Sequence, residues 1–199
     1  NKLFKSKLDC LLIDIIRNKI GIEIGGPSKG TGKIIYKYSY SMDNVIFSKD
    51  TIWSNHHNHI YKYYKNKEGK VYINEGTEIP DINNESYNFI FASHVLEHIA
   101  NPLKALKEWI RIIDSKGYLI LILPEKSCCF DHKRDVSNFE VILSQYKKNV
   151  GEDDLSTLDE ILDKHDLSMD RPAGSFKEFK VRSLNNYKTS FEIINTSVM

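Results

Sequence analysis

A carboxylate and two glycines stand together in Ile20-Gly21-Ile22-Glu23-Ile24-Gly25-Gly26-Pro27-Ser28. The apolar run reads as a buried strand, and the residues after it as the tight turn that ends it. Glycine accepts φ > 0 and carries no Cβ, so a ligand can come against bare backbone there. An acid at the strand end suits hydroxyls or cationic groups, whereas a phosphate cradle would favour a lysine in its place. The stretch is neither a full G-x-G-x-x-G fingerprint nor a P-loop, and the chemistry it favours is a nucleoside-type cofactor without phosphates. Asp43 follows at about twenty residues, the interval at which nucleotide-binding α/β folds place a carboxylate for ribose hydroxyls.

Further along, three polar groups adjoin apolar runs: Glu75-Gly76-Thr77, Ser93-His94-Val95-Leu96-Glu97-His98, and Asp131-His132-Lys133-Arg134. The histidines in Ser54-Asn55-His56-His57-Asn58-His59 invite a metal reading. His56 and His59 lack the spacing of a helical ligand pair, and no acid or cysteine cluster joins them, so a solvated segment is expected and no metal site is assigned. Cys10 and the adjacent pair Cys128-Cys129 fit neither a disulfide framework nor a zinc motif, and the pair is expected to be packed rather than nucleophilic.

These groups need elements to position them. Leu8, Leu11, Leu12, Ile15 and Ile16 share one face of an opening helix. A second strand is predicted over Tyr38 to Asp43, ending in that acid, and a third over Lys70 to Asn74. A fourth, continuous and apolar, spans Asn88 to Ala92. Asn101 caps a helix with Pro102 at its first position and Leu103, Leu106, Ile110 and Ile113 as its stripe. Asp114 to Gly117 turn the chain into a fifth strand, Tyr118 to Leu123. Strands alternating with helices imply a doubly wound, mostly parallel sheet, whose ligands bind at the strands' carboxyl ends. Capping boxes at Ser137/Glu140, Ser156/Asp159 and Ser175/Glu178 predict a helical cap. The expected division is an α/β core over 1–124 and a helical cap with tail over 125–199.

With 199 residues, the chain suffices for one domain with a sizeable core. A net charge of +1 gives no electrostatic case for nucleic acid or an anionic membrane. No apolar run approaches the roughly 18 residues of a membrane span, and no signal peptide is visible, so a cytoplasmic protein is expected.

Glu23 through Ser28, the run Ser93 to His98 followed by Asn101-Pro102 and an amphipathic helix, and Gly117 through Pro124 together resemble the class I S-adenosylmethionine-dependent methyltransferases. The resemblance covers roughly residues 15 to 190. It is closest to small methyltransferase-domain proteins linked to sugar and cell-surface polysaccharide pathways. It implies a Rossmann-like fold and S-adenosylmethionine as cofactor. Glu23 would lie near the methionine amino end, Gly25, Gly26 and Ser28 would form the cofactor loop, and Asp43 would accept the ribose hydroxyls. Glu75 with Gly76 and Thr77 would read the adenine edge, with Ser93 also at the cofactor. The acceptor implied is a small hydroxyl compound, a sugar or nucleotide-sugar. A neutral imidazole is the natural base for a hydroxyl. His98 is the preferred base, with His94 and Asp131 as further catalytic candidates.

The family fold continues with two more strands, making seven, whereas this sequence closes at Met199 after Phe191-Glu192-Ile193-Ile194. Five core strands are therefore expected, with the last two missing or replaced, and the fifth becomes a bare apolar edge. A truncated product, a substitute strand from the tail, or a homodimer through this edge would each answer it. The competing function is a catalytically incompetent methyltransferase-like binding module.

Overall fold

A computed structural model describes residues 6–28, 30–47, 60–151 and 154–186. The elements run α1 (Lys7–Ile16), β1 (Ile20–Ile24), α2 (Lys33–Tyr38), β2 (Ser41–Ile46), β3 (Ile60–Lys62), β4 (Glu68–Ile73), β5 (Tyr87–Ser93), α3 (Pro102–Ile112) and β6 (Ile113–Ile122). Three helices follow: α4 (Phe139–Lys147), α5 (Leu158–Lys164) and α6 (Phe176–Asn186).

The sheet order is β3-β4-β2-β1-β5-β6, parallel throughout except for β3 against β4. The five expected strands are present, and the short antiparallel β3 is an addition. β1 lies at the centre, where the order reverses between β2 on one side and β5 on the other. In an open α/β sheet, that is the position that leaves a crevice at the carboxyl ends.

Alternation along the strands builds a core on each face. Ile22, Ile24, Ile90 and Ala92 turn to the side of α3, against Ala105, Trp109 and Ile112. Phe89, Phe91, Met42 and Ile46 turn to the side of α1 and α2, against Ile16, Ile35 and Tyr36. Two expected stripes shift accordingly. In α3 the buried positions are Ala105, Trp109 and Ile112, while Ile110 is exposed; Trp109 and Ala105 outweigh the branched residues because the stripe turns towards them. In α1, Ile13 and Ile16 are buried, and Leu8 and Leu11 face solvent.

Local chemistry fixes several boundaries. Asn101 caps α3 by accepting from Lys104 N at 3.1 Å. Ser175 and Glu178 form the expected box on α6. At α4 the cap is Asn138 rather than Ser137, and Ser156 bonds back to Asp154 instead of capping α5. The predicted turn at Asp114 to Gly117 is a bulge within β6: Tyr87 pairs with Ile113, yet Phe89 pairs with Tyr118. No helix among the described residues is long and apolar enough to cross a membrane. The histidines at 56, 57 and 59 and the tail from Phe191 to Val198 lie outside the described residues.

Candidate functional site

Glu23 sits on β1 between two isoleucines that face α3, so its side chain goes to the opposite face, where it is fully buried. Both carboxylate oxygens accept from Ser28 N at 3.1 Å, and the Tyr36 hydroxyl of α2 donates to Oε2. Burial pushes this carboxyl above its ordinary range, against the opposing pull of the Ser28 and Tyr36 hydrogen bonds. Glu23 therefore closes the loop from Gly25 to Ser28 onto the end of β1.

The glycines serve the same packing. Gly25 has φ +77°, and a Cβ there would overlap Val95; a Cβ on Gly26 would overlap Asn44 and the Glu23 carboxylate. The bare backbone makes room for the protein's own side chains. Beyond the turn, Thr31 Oγ1 lies 3.0 Å from Ser93 Oγ, which ties the loop across the carboxyl ends of β1 and β5.

Past the end of β4, Asn74 Oδ1 is buried and has no hydrogen-bond partner among the described residues. Thr77 is buried and donates to Glu75 Oε1 at 2.6 Å. Trp109 Nε1 donates to Gly76 O at 2.8 Å, so α3 holds this turn in place. A Cβ on Gly76 would meet only ordinary contacts at 3.5 Å. Together these leave an unused acceptor and an open backbone edge beside the central strands, which fits the donor-rich edge of a nucleobase.

Asp43 does not join them. β2 continues to Ile46, so Asp43 lies in mid-strand opposite Ile22 rather than at the crevice. Its carboxylate accepts from Tyr87 OH at 2.7 Å and Lys70 N at 2.8 Å. The strand starts three residues later than the alternation of Tyr38 to Asp43 implies, because Lys33–Tyr38 forms α2.

The histidine run follows β5. His94 takes φ +54°, a left-handed conformation that costs a branchless but non-glycine residue some strain, and its N–H donates to Ile122 O at 2.9 Å. Glu97 Oε1 stands between the two imidazoles, 3.5 Å from His94 Nδ1 and 3.9 Å from His98 Nε2. His98 is largely buried, and that desolvation holds its ring below the usual imidazole value, while Glu97 and Asp131 act to raise it. Asp131 lies in the loop after β6, with His165 Nδ1 3.5 Å from its Oδ1 and Arg134 Nη1 3.3 Å from its Oδ2. It is held below the usual carboxylate range, since hydrogen bonding and charge from His165 and Arg134 outweigh its burial, the largest single influence.

The Asp131-to-Arg134 cluster, Asp131 included, pairs within the cap. Lys133 pairs with Asp166 at 3.1 Å and Arg134 with Glu160 at 3.5 Å, fastening the cap. Cys128 is exposed rather than packed, and Cys129 is half-buried. Among the described residues no group of three or more His, Cys, Asp or Glu side chains could hold a metal ion. Sequence reasoning missed Tyr36, Asn74 and Glu97, and also His165, whose closeness to Asp131 and Asp170 only the folded cap reveals.

A family model described as a methyltransferase domain matches residues 3–187. The chain belongs to the methyltransferase-domain family. Membership agrees with the expected class and with S-adenosylmethionine as methyl donor. Among curated proteins none matches the chain. Solved structures similar to it include a SAM-dependent methyltransferase from Aquifex aeolicus, with 18% identity and a TM-score of 0.45 over 73% of this chain and 79% of that one. Another, from Methanosarcina mazei, has 12% identity and a TM-score of 0.42 over 60% and 57%. The trans-methyltransferase CalH, in complex with SAH, has 18% identity and a TM-score of 0.42. The chain spans well under two thirds of several of these structures, 34% of CalH and 48% of a methyltransferase from Bacillus halodurans.

Proposed function

We propose that this methyltransferase-domain chain transfers a methyl group to a hydroxyl of a sugar, a nucleotide-sugar or a similar small polar metabolite. The observation that carries the reading is His98, a largely buried imidazole just after β5 whose Nε2 lies 3.9 Å from Glu97 Oε1. S-adenosylmethionine brings a methyl carbon already activated by a sulfonium. The chain's own work is to hold the acceptor hydroxyl in line and remove its proton. Alignment alone can supply several kcal/mol of the barrier. His98, kept neutral by burial, takes the proton, and Glu97 and Asp131 stabilise the imidazolium that results. His94 borders the same opening as a polar contact for the acceptor.

The residues that would hold the cofactor are the turn from Gly25 to Ser28, with Glu23 and Tyr36 fixing its shape. Glu75, Gly76 and Thr77, with the free acceptor of Asn74, would take the nucleobase edge, and Ser93 would stand near the methionine end. A cytoplasmic site of action suits a small polar acceptor and this cofactor.

Thermal unfolding with and without S-adenosylhomocysteine tests the binding half. A ligand at 100 times its dissociation constant adds about 2.7 kcal/mol of stability. No shift at millimolar ligand would sink the reading. The catalytic half is tested by labelled methyl transfer to a panel of sugars and nucleotide-sugars with wild type and His98→Gln. The variant should keep the thermal shift and lose turnover. Cofactor binding with no transfer by wild type to any of them would favour a binding module instead.

A further inference from the structure

A net charge near zero conceals where charge collects. Just before β1, β2 and β4 stand Arg17-Asn18-Lys19, Lys37-Tyr38-Ser39-Tyr40 and Tyr63-Tyr64-Lys65-Asn66-Lys67, and none of the three segments contains an aspartate or glutamate. The whole chain has 27 acids against 28 bases, so the amino end of the sheet is positive by segregation. Acids collect elsewhere, as in the first turn of α5 with Asp159 and Glu160.

The fold ties the three segments together. Asn18 N donates to Tyr38 O at 3.2 Å and Tyr40 N to Lys19 O at 2.8 Å, while Lys67 Nζ donates to the carbonyls of Lys37 and Ser39. Across the join, cations and rings alternate in one line. Lys65 Nζ lies 5.6 Å from the centre of the Tyr64 ring, and Lys37 Nζ lies 5.9 Å from that same ring. Lys37 Nζ is also 5.2 Å from the centre of Tyr38, and Arg17 Cζ is 5.7 Å from it. Each distance is within reach of a cation–π attraction, which holds a cation in place without neutralising it. Among the described residues none of Arg17, Lys19, Lys37 and Lys65 pairs with a carboxylate. Glu68, the next acid along the chain, pairs with Lys62 at 3.4 Å, and Asp43 accepts from Tyr87 and Lys70 N. Like charges gathered without counter-charge repel one another, so an anion laid along this line is favoured.

We propose that this amino-end surface binds single-stranded nucleic acid, with phosphates on Arg17, Lys37 and Lys65 and bases against the tyrosines beside them. In such a strand charge and flat ring alternate, as cation and ring do here. Tyr40, 68% exposed, offers a further ring at the same end. A duplex keeps its base faces stacked inside, and an acidic protein has no bases to present, so the alternation favours an unpaired strand. The cofactor crevice lies at the opposite ends of the parallel strands, roughly 16 Å away along the five residues of β1. A bound strand is therefore held apart from Gly25, Gly26 and His98, and the proposal stands whatever the methyl acceptor is.

The test is fluorescence anisotropy of a labelled oligouridylate of about 20 nucleotides, longer than a single site, titrated with the full chain. Wild type should bind at about 50 mM salt, and with three phosphate contacts its affinity should fall about twentyfold by about 200 mM. Arg17→Gln/Lys37→Gln/Lys65→Gln should bind about tenfold or more weakly at the lower salt and lose most of the salt dependence. Lys126→Gln/Lys147→Gln/Lys148→Gln removes the same charge from exposed positions elsewhere and should bind as wild type does. Tyr40→Ala should bind about fivefold or more weakly, and so should wild type to a strand of equal length that lacks bases. Unfolding midpoints are recorded for each variant. Should the first triple variant fail to fold, Lys37→Gln alone replaces it, with a salt slope shallower than wild type by about 0.7; an unchanged slope overturns the proposal. No binding by wild type at the lower salt overturns it, as does an equal loss in the two triple variants. Equal affinity for the base-free strand, or tighter binding to phosphatidylserine vesicles than to the oligouridylate, overturns the assignment to nucleic acid. Saturating S-adenosylhomocysteine should leave the affinity unchanged, and competition between the two would place the strand in the crevice and overturn the proposed surface.

Discussion

The Tyr36 hydroxyl and Ser28 N both donate to the Glu23 carboxylate, so a helix and a loop meet on one buried acid. Because Glu23 is pushed above its ordinary value by burial, the folded state holds its proton more tightly than the unfolded chain does. Between the unfolded value near 4.5 and the higher folded one, folding takes up a proton, and stability falls as pH rises through that window. Glu23→Gln removes the titration. Its urea midpoint, measured from pH 4 to 8, should lose the part of that fall that Glu23 causes, and the variant should compare more favourably with wild type at pH 8 than at pH 4. An unchanged slope would mean that the carboxyl is ionised with no penalty.

Gly25 combines a positive φ with a neighbour that occupies the place of a Cβ, and the two costs are separable. Gly25→Ala should destabilise by about 1–2 kcal/mol from the left-handed backbone alone, with the Val95 overlap added to it. The double variant Gly25→Ala/Val95→Ala removes the overlapping methyl and leaves the backbone cost. Chemical denaturation of the four-member cycle should give a favourable coupling. Strict additivity would show that Val95 yields freely.

Asp43 is held by Tyr87 and Lys70 N within the sheet, so its contribution is to stability. Asp43→Asn should cost about 1.5–3 kcal/mol, the range for hydrogen bonds to a charged group. The thermal shift caused by S-adenosylhomocysteine should stay at its wild-type size. A shift that vanishes while stability holds would restore Asp43 to the ribose.

Much of the fold was legible because its signals are local. The apolar runs of β1, β5 and β6, the Asn101 cap and the Ser175/Glu178 box each act within a few residues, and each is found where the sequence places it. The misplacement of Asp43 has a physical source. Lys33–Tyr38 is a helix of only six residues, too short for its 3.6-residue period to stand out from the alternation of tyrosines and serines after it. His165 and Asp170 were invisible for the opposite reason. His165 meets Asp131, more than thirty positions away in sequence, and no spacing rule links residues so far apart.

His98 ties the site's electrostatics to the fold's stability. Burial holds its ring below the usual value of 6.5, the largest of the influences on it, so the folded state prefers the neutral imidazole. Below 6.5 the unfolded chain binds the proton more readily, and stability falls as pH drops from 6.5 towards the folded value. Methyl transfer needs the same neutral form, so turnover should persist below pH 6.5 and decline at the lower pH at which the folded ring protonates. His98→Gln should remove the His98 share of the stability slope in that window while leaving the slope due to Glu23 in place. Stability profiles of wild type, His98→Gln and Glu23→Gln separate the two, because Glu23 makes stability fall with rising pH and His98 makes it climb. If His98→Gln leaves the profile between pH 5 and 7 unaltered, His98 titrates alike in the folded and unfolded chain, and a base held neutral by burial is ruled out.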